Sequence, residues 1–151
     1  MNRASFGVAL PRLSFSATLL LLFMGTAAAA VTVDTTVDGD DGECLVDCTI
    51  REAVATAIPG ETVVVPAGTY SVSLGAIVLD RDLVIIGEGA RHTIIRGTGT
   101  PQRLLIVAVG ASVEIAEVTL SLEPAQLNGG GIHNDGDLLL RECWLRDAFL
   151  T

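Results

Sequence analysis

Between Ile77 and Leu145 the chain repeats itself, and a repeat of this period restricts the possible folds more than any other feature. Moving Ile106–Leu120 forward by 25 positions lays it on Gly131–Leu145, so that Val107 meets Ile132, Val113 meets Leu138, Ile115 meets Leu140, Val118 meets Cys143 and Leu120 meets Leu145. Moving back by 30 sets Ile77 on Val107, Leu79 on Val109, Leu83 on Val113 and Ile85 on Ile115, with five extra residues near Glu88–His92 accounting for the longer interval. All three copies keep apolar alternation and have turn residues between the runs. A sandwich or barrel also uses short, closely spaced strands. A coil of fixed length that stacks on the next at the ~4.8 Å inter-strand spacing is instead a parallel β-helix. The expected fold is therefore all-β, the N-terminal portion of a right-handed parallel β-helix with apolar columns inside and polar ones outside.

The same alignment assigns individual residues. Cys143 shares the column of Val118 and is expected as a buried core thiol and not a ligand. Asn134 falls with Leu79 and Val109, an inward position where its amide would be satisfied at a turn. Trp144 matches Thr119 and should face outward, where packing on the surface is favoured over stacking on a sugar.

Ahead of the repeat the pattern differs. Arg3 and Arg12 supply a basic stretch ahead of an apolar run, Leu13 to Met24, and Thr26 to Ala30 supply the small residues that a signal peptidase reads. Residues 1–30 are read as a signal peptide cut after Ala28 or Ala30, and the mature chain as lacking a membrane span. Residues 31–60 read as a cap. Val31–Val37 is a β-branched leading strand, and Asp38–Glu43 is an acidic turn. Thr49 and Glu52 form a capping box that opens a helix, with Ile50, Val54 and Ile58 at helical spacing and Pro59-Gly60 as its stop. Residues 61–151 form the coils.

The nine basic residues are all arginine, and only Arg3 and Arg12 precede Val31, where no acid occurs. The mature chain thus sets 18 acids against seven arginines, a formal charge of −11. No basic stripe is legible, so nucleic acid is not an expected partner; envelope components or a surface polysaccharide fit an exported protein better. Cys44 and Cys48 lie four apart in an acidic loop and, in an oxidising compartment, are expected to form a disulfide. A zinc site lacks a second Cys/His pair at ligand spacing.

The run Cys48-Thr49-Ile50-Arg51-Glu52-Ala53 resembles the Cys-Ser/Thr-Leu-Arg-Glu-Ala signature of the CSLREA domain, an N-terminal module of exported bacterial β-helix proteins, including chains like the polymorphic outer-membrane proteins. Pro66–Tyr70, Ile86–Ala90 and Gly129–Asn134 with Gly136–Leu140 resemble that family's successive coils, and Ile50 in place of Leu is a small departure. The resemblance implies a capped β-helix and export, and it implies no particular chemistry.

Residues suited to catalysis have simpler roles in this pattern. The capping box accounts for Glu52, and Arg51 is expected exposed in the first helical turn. Asp38, Asp40, Asp41 and Glu43 read as a solvated turn, since their spacing does not follow the EF-hand calcium order. His92 and His133 have no nucleophile in a recognisable arrangement, and the glycines at 87, 89 and 129–131 are turn residues rather than a phosphate loop. Outward carboxylates line up only at Glu117 and Glu142, with Gly87 at the equivalent place one coil earlier. No catalytic, metal or cofactor residue is assigned. The expectation is a secreted or cell-surface, non-enzymatic scaffold for adhesion, display or envelope structure. The alternative is the first part of a polysaccharide lyase or hydrolase whose active site lies in later coils. A solenoid needs a cap at each end, and the pattern stops at Thr151 inside a coil, so the chain is expected to be a fragment of a longer protein.

Overall fold

The apolar alternation does build columns. In a computed structural model, which describes residues 29–98, 103–122 and 131–147, twelve strands form three parallel sheets. The first sheet contains β1 (Ala30–Thr32), β2 (Glu61–Val65), β5 (Leu83–Gly87), β8 (Ser112–Ala116) and β11 (Asp137–Arg141), in that order. The second runs through β3 (Gly68–Val72), β6 (Thr93–Gly97), β9 (Thr119–Leu122) and β12 (Trp144–Asp147), and the third through β4 (Ile77–Leu79), β7 (Leu105–Val107) and β10 (Ile132–Asn134). Each coil visits the first, second and third sheet in turn. Every pairing joins one coil to the next, which is a right-handed parallel β-helix.

Inside, like residues stack on like. Val63, Ile85, Ile115 and Leu140 form one column, Tyr70, Ile95, Leu120 and Leu145 a second, and Ile77, Leu105 and Ile132 a third. Burying each such side chain contributes roughly 1.5–3 kcal/mol. Gly87 is required by the stacking itself: a Cβ there would collide with the Glu117 carbonyl oxygen and lie 2.7 Å from Val118 Cγ1 in the coil above.

Two strand offsets depart from the sequence alignment. In the third sheet Ile77 pairs with Leu105 and Leu79 with Val107, two positions short of the 30-residue shift, and Val107 pairs with Asn134 rather than Ile132. The reason is the turn after β7, which runs through Gly110 at φ 84°: Val107 and Val113 are six positions apart, whereas their partners Leu79 and Leu83, and Asn134 and Leu138, are four apart. Val109 consequently lies in that turn, 82% exposed, and Asn134 is an exposed strand end whose Oδ1 accepts from the Gly136 N–H. The strands β2 and β3 fall outside that repeat for the same kind of reason. Glu61 pairs with Leu83, Gly68 with Thr93 and Ile77 with Leu105, so the offset grows from 22 to 25 to 28 as the turns lengthen.

A helix, α1 (Ile50–Thr56), covers the N-terminal end of the stack. Ile50, Ala53 and Val54 pack into the core together with Val33 and Ala57. Ile58 does not, because the helix stops at Thr56 and the chain turns it into solvent, 62% exposed. The strand β1 adds one more rung to the first sheet beneath this lid, with Ala30 opposite Thr62. The expected signal segment falls almost wholly on residues 1–28, outside the described residues.

Candidate functional site

The charged residues that invite a catalytic reading converge on the junction between cap and coils. Thr49 sits in extended conformation at the N-cap; its Oγ1 accepts the Glu52 N–H at 3.1 Å, and Glu52 Oε2 accepts the Thr49 N–H at 2.9 Å. Both halves of the capping box are therefore made. Glu52 also reaches outward: its Oε1 accepts the Asp41 N–H at 2.9 Å, and the Thr49 hydroxyl donates to the Gly39 carbonyl. The helix start and the acidic loop thus share one buried carboxylate.

Arg51, beside the cap, joins the helix to the coils. Its Nε and Nη2 each donate to Asp38 at 3.0 Å, a two-pronged pair, while Nη2 and Nη1 also donate to the Gly75 and Ala76 carbonyls. Asp38 Oδ2 accepts two further N–H groups, from Ser73 at 2.6 Å and Leu74 at 2.7 Å. This single ion pair ties the loop, the helix and the turn between β3 and β4 into one clip. The Asp38 side chain is 2% exposed and that of Arg51 14%. Two expectations are corrected here. Arg51 is not an exposed residue of the first turn, and Asp38 is not part of a solvated one. The fork of a guanidinium fits a carboxylate and two carbonyls at once, which the helical position of Arg51 alone does not reveal.

Electrostatics follow this geometry. Burial by itself would raise the Asp38 pKa, but the Arg51 hydrogen bond, the Leu74 and Ser73 N–H groups and the Arg51 charge together outweigh it and hold it below its ordinary value. For Glu52 the Thr49 N–H bond leads, opposed by burial and supported by Asp41, and the net shift is again downward. Asp40, Asp41 and Glu43 lie exposed or partly exposed in the same loop, with Asp41 Oδ1 accepting the Glu43 N–H. With its oxygens filled by four donors, Asp38 is not available as a calcium ligand alongside Asp40 and Asp41. Among the described residues no group of three or more His, Cys, Asp or Glu side chains is placed to hold a metal ion. The Cys44–Cys48 disulfide closes this loop just before the N-cap, with the two Cα atoms 4.2 Å apart.

The stacked glutamates occupy the turn between the first and second sheets. Glu117 and Glu142 both adopt the left-handed region, at φ 59° and 54°, a conformation uncommon for a residue with a long side chain. The Glu117 N–H donates to the Arg141 carbonyl of the next coil, so the turn serves the stack. The histidines stay apart: His92 is exposed before β6, whereas His133 Nε2 lies 2.9 Å from Asp135 Oδ2. Gly129 and Gly130 lie outside the described residues. Cys143 is partly buried at the core margin and not enclosed as expected, its Sγ within 3.3 Å of the Ile115 carbonyl and 3.4 Å of the Arg141 carbonyl. Trp144 does face outward, 45% exposed, beneath the Arg91 guanidinium, which stands 5.3 Å from its ring centre.

That last contact lies beside a column of the second sheet that apolar alternation does not mark. On the second sheet Arg96, Ser121 and Arg146 share one column, and Ile94, Thr119 and Trp144 the next; the arginines and Trp144 are exposed, whereas Ser121 and Thr119 between them are buried, at 4% and 1%. Arg96 and Arg146 are separated by two 25-residue periods, a spacing present in the sequence but carried by polar residues that apolar alternation does not mark.

Comparison of the chain with protein-family models, with curated proteins and with solved structures finds no match in any of the three. The CSLREA resemblance therefore rests on its motifs alone, while the β-helix rests on the three parallel sheets. Among the described residues no helix is long and apolar enough to cross a membrane.

Proposed function

We propose that this chain is an exported, non-enzymatic β-helix scaffold that works at the cell surface or beyond it, in adhesion, display or envelope structure. The observation carrying this reading is the use made of Asp38, Arg51 and Glu52. These charged side chains are enclosed, and their hydrogen bonds go to the backbone and to one another, where they fasten the lid to the coils. The disulfide in the same loop suits an oxidising compartment.

The signal-like N-terminus supports export, and the fold favours one of its two cleavage points. Ala30 begins β1 opposite Thr62, and the Ala29 carbonyl accepts the Thr62 N–H. Cutting after Ala28 leaves that strand whole, whereas cutting after Ala30 removes its first rung. N-terminal sequencing of the product released by an exporting host tests the reading. It should begin at Ala29; a chain retained in the cytoplasm with Met1 intact would refute export. Incubation with acidic and neutral polysaccharides, read by reducing ends and by unsaturated products, should show no cleavage, and any enzyme-dependent product would refute the scaffold assignment.

A further inference from the structure

The first sheet departs from the pattern of apolar columns inside and polar ones outside. Three of its strands are apolar at consecutive positions, Val63 to Val65 in β2, Leu83 to Ile86 in β5 and Leu138 to Leu140 in β11. Strand alternation turns every second one of these outward. Val84 and Leu139 fall in one outward column with Glu114 between them, and Val64 and Ile86 in the next. Val64, Val84 and Ile86 are half-buried, and Leu139 is 56% exposed. Val84, Glu114 and Leu139 line one open hollow of about 390 Å³ that spans three successive rungs. Glu114 is neutralised by Arg141 at 2.7 Å. Asp82 and Asp137 line the same hollow, both exposed and, among the described residues, neither in an ion pair.

We propose that this hollow docks a basic amphipathic helix of a partner protein, lying along the stacking axis with its apolar stripe on Val84 and Leu139 and its lysines or arginines against Asp82 and Asp137. A parallel sheet with apolar runs is ordinarily covered on both faces, and here, among the described residues, the one helix, α1, lies over the end of the stack instead. Charge selects the sign of the partner. Beyond the signal-like segment 18 acids stand against seven arginines, so a second copy or an anionic membrane is repelled and a basic segment attracted. Spacing selects its form. Val84 and Leu139, like Asp82 and Asp137, are two rungs or roughly 10 Å apart along the axis, which is close to the ~10.8 Å rise of two helical turns. Size agrees with both. Four rungs at ~4.8 Å and five-residue strands at ~3.3 Å per residue give a face of roughly 20 by 16 Å. That face takes one helix about 10 Å across and falls well below the ~800 Å² per partner of a standard protein interface.

This inference goes beyond the scaffold reading and is tested apart from it. The probe is a fluorescein-labelled Leu/Lys peptide of about 14 residues with its leucines at helical spacing, titrated with the full chain and read by anisotropy. Two controls accompany it: the same residues in an order that lacks the spacing, and a Leu/Glu peptide that keeps it. The amphipathic Leu/Lys peptide should bind at least tenfold more tightly than either, and more weakly as salt is raised. The Val84→Thr, Leu139→Ser double variant should lose at least fivefold in affinity. Asp82→Asn with Asp137→Asn should lose about threefold and part of the salt dependence, while Val78→Ser, exposed on the third sheet, should bind as before. A benzophenone placed on the apolar stripe should cross-link to β5 or β11. Equal binding of either control peptide, full affinity in the Val84→Thr, Leu139→Ser variant, or cross-links confined to the exposed Leu45 and Val46 would overturn the proposal. Tighter binding to vesicles of anionic phospholipid, or self-association that Leu139→Ser abolishes, would overturn it too and name the other occupant. The control peptides need no mutation and stand even if a variant misfolds. Absence of binding would refute this face alone; the scaffold reading is refuted separately, by cleavage of a polysaccharide.

Discussion

The cap and the coils are held together by opposite means. In the coils, burial rises from repetition: Ile85 and Ile115 are each enclosed by the same kind of side chain above and below, and they are 2% and 0% exposed. In the cap the helix is only seven residues long, too short to stand by itself. It is fixed by a few polar contacts, the Arg51–Asp38 pair and the Glu52 carboxylate, over a small apolar patch of Ile50, Ala53 and Val54. The difference teaches that the coils should tolerate local change in proportion to lost volume, whereas the cap depends on one or two irreplaceable groups.

Arg51→Ala attacks that dependence most severely. It leaves the Asp38 carboxylate enclosed without its countercharge, a loss of about 3–5 kcal/mol by the usual cost of breaking such a pair. Hydrogen exchange should show amides of α1 and of the turn between β3 and β4 losing protection while β5, β8 and β11 keep theirs; uniform loss across both regions would mean that cap and coils are one cooperative unit. Ile85→Ala does the converse. It opens a cavity in the first sheet's inner column and should cost about 2–5 kcal/mol, read as a lower melting temperature with protection lost in the coils.

Acid acts on the clip and, on the surface, on Asp80, whose carboxyl is also held below its ordinary value by the hydrogen bond from Arg81. Asp38 and Glu52 both have native pKa values below their ordinary ones, 3.8 and 4.5, so the stability they supply is complete above those values and falls away as pH drops through the lower native values. Denaturation midpoints should hold steady above pH 5 and fall below it. The fall should be smaller than for Arg51→Ala, since a protonated Asp38 is no longer an enclosed charge. In an Asp38→Asn, Glu52→Gln variant most of that acid dependence should vanish. Thr49→Ala is the mildest break, removing one N-cap acceptor at about 0.5–2 kcal/mol, detectable as faster exchange at the Glu52 amide.

The same contrast explains what was legible in the sequence. The columns were readable because stacking imposes the same residue class at fixed offsets: Val113 and Leu138, Ile115 and Leu140, and Leu120 and Leu145 are partners as the alignment has them. Offsets failed where a turn changed length, as after β7, because a turn's length is not constrained by the column it connects. The capping box was readable because both partners are local, three residues apart. The Arg51–Asp38 clip was not, since its partners lie 13, 24 and 25 residues away and come together only once the coils have stacked. The arginine column is hidden for another reason: Arg96 and Arg146 are exposed, so apolar alternation does not mark them and only their shared column reveals them.

Stacking in register is the claim on which the rest depends, and outward neighbours test it directly. Val84 lies opposite Glu114 on adjacent rungs of the first sheet. In a Cys143→Ser background, a Val84→Cys, Glu114→Cys chain should form the new disulfide on mild oxidation, because parallel neighbours at the ~4.8 Å spacing fall within disulfide reach. Efficient closure of that pair, and much slower closure of Val84→Cys with Ala116→Cys, is the result the structure predicts; preference for the Ala116 pair, or closure of neither, would contradict the β-helix described above.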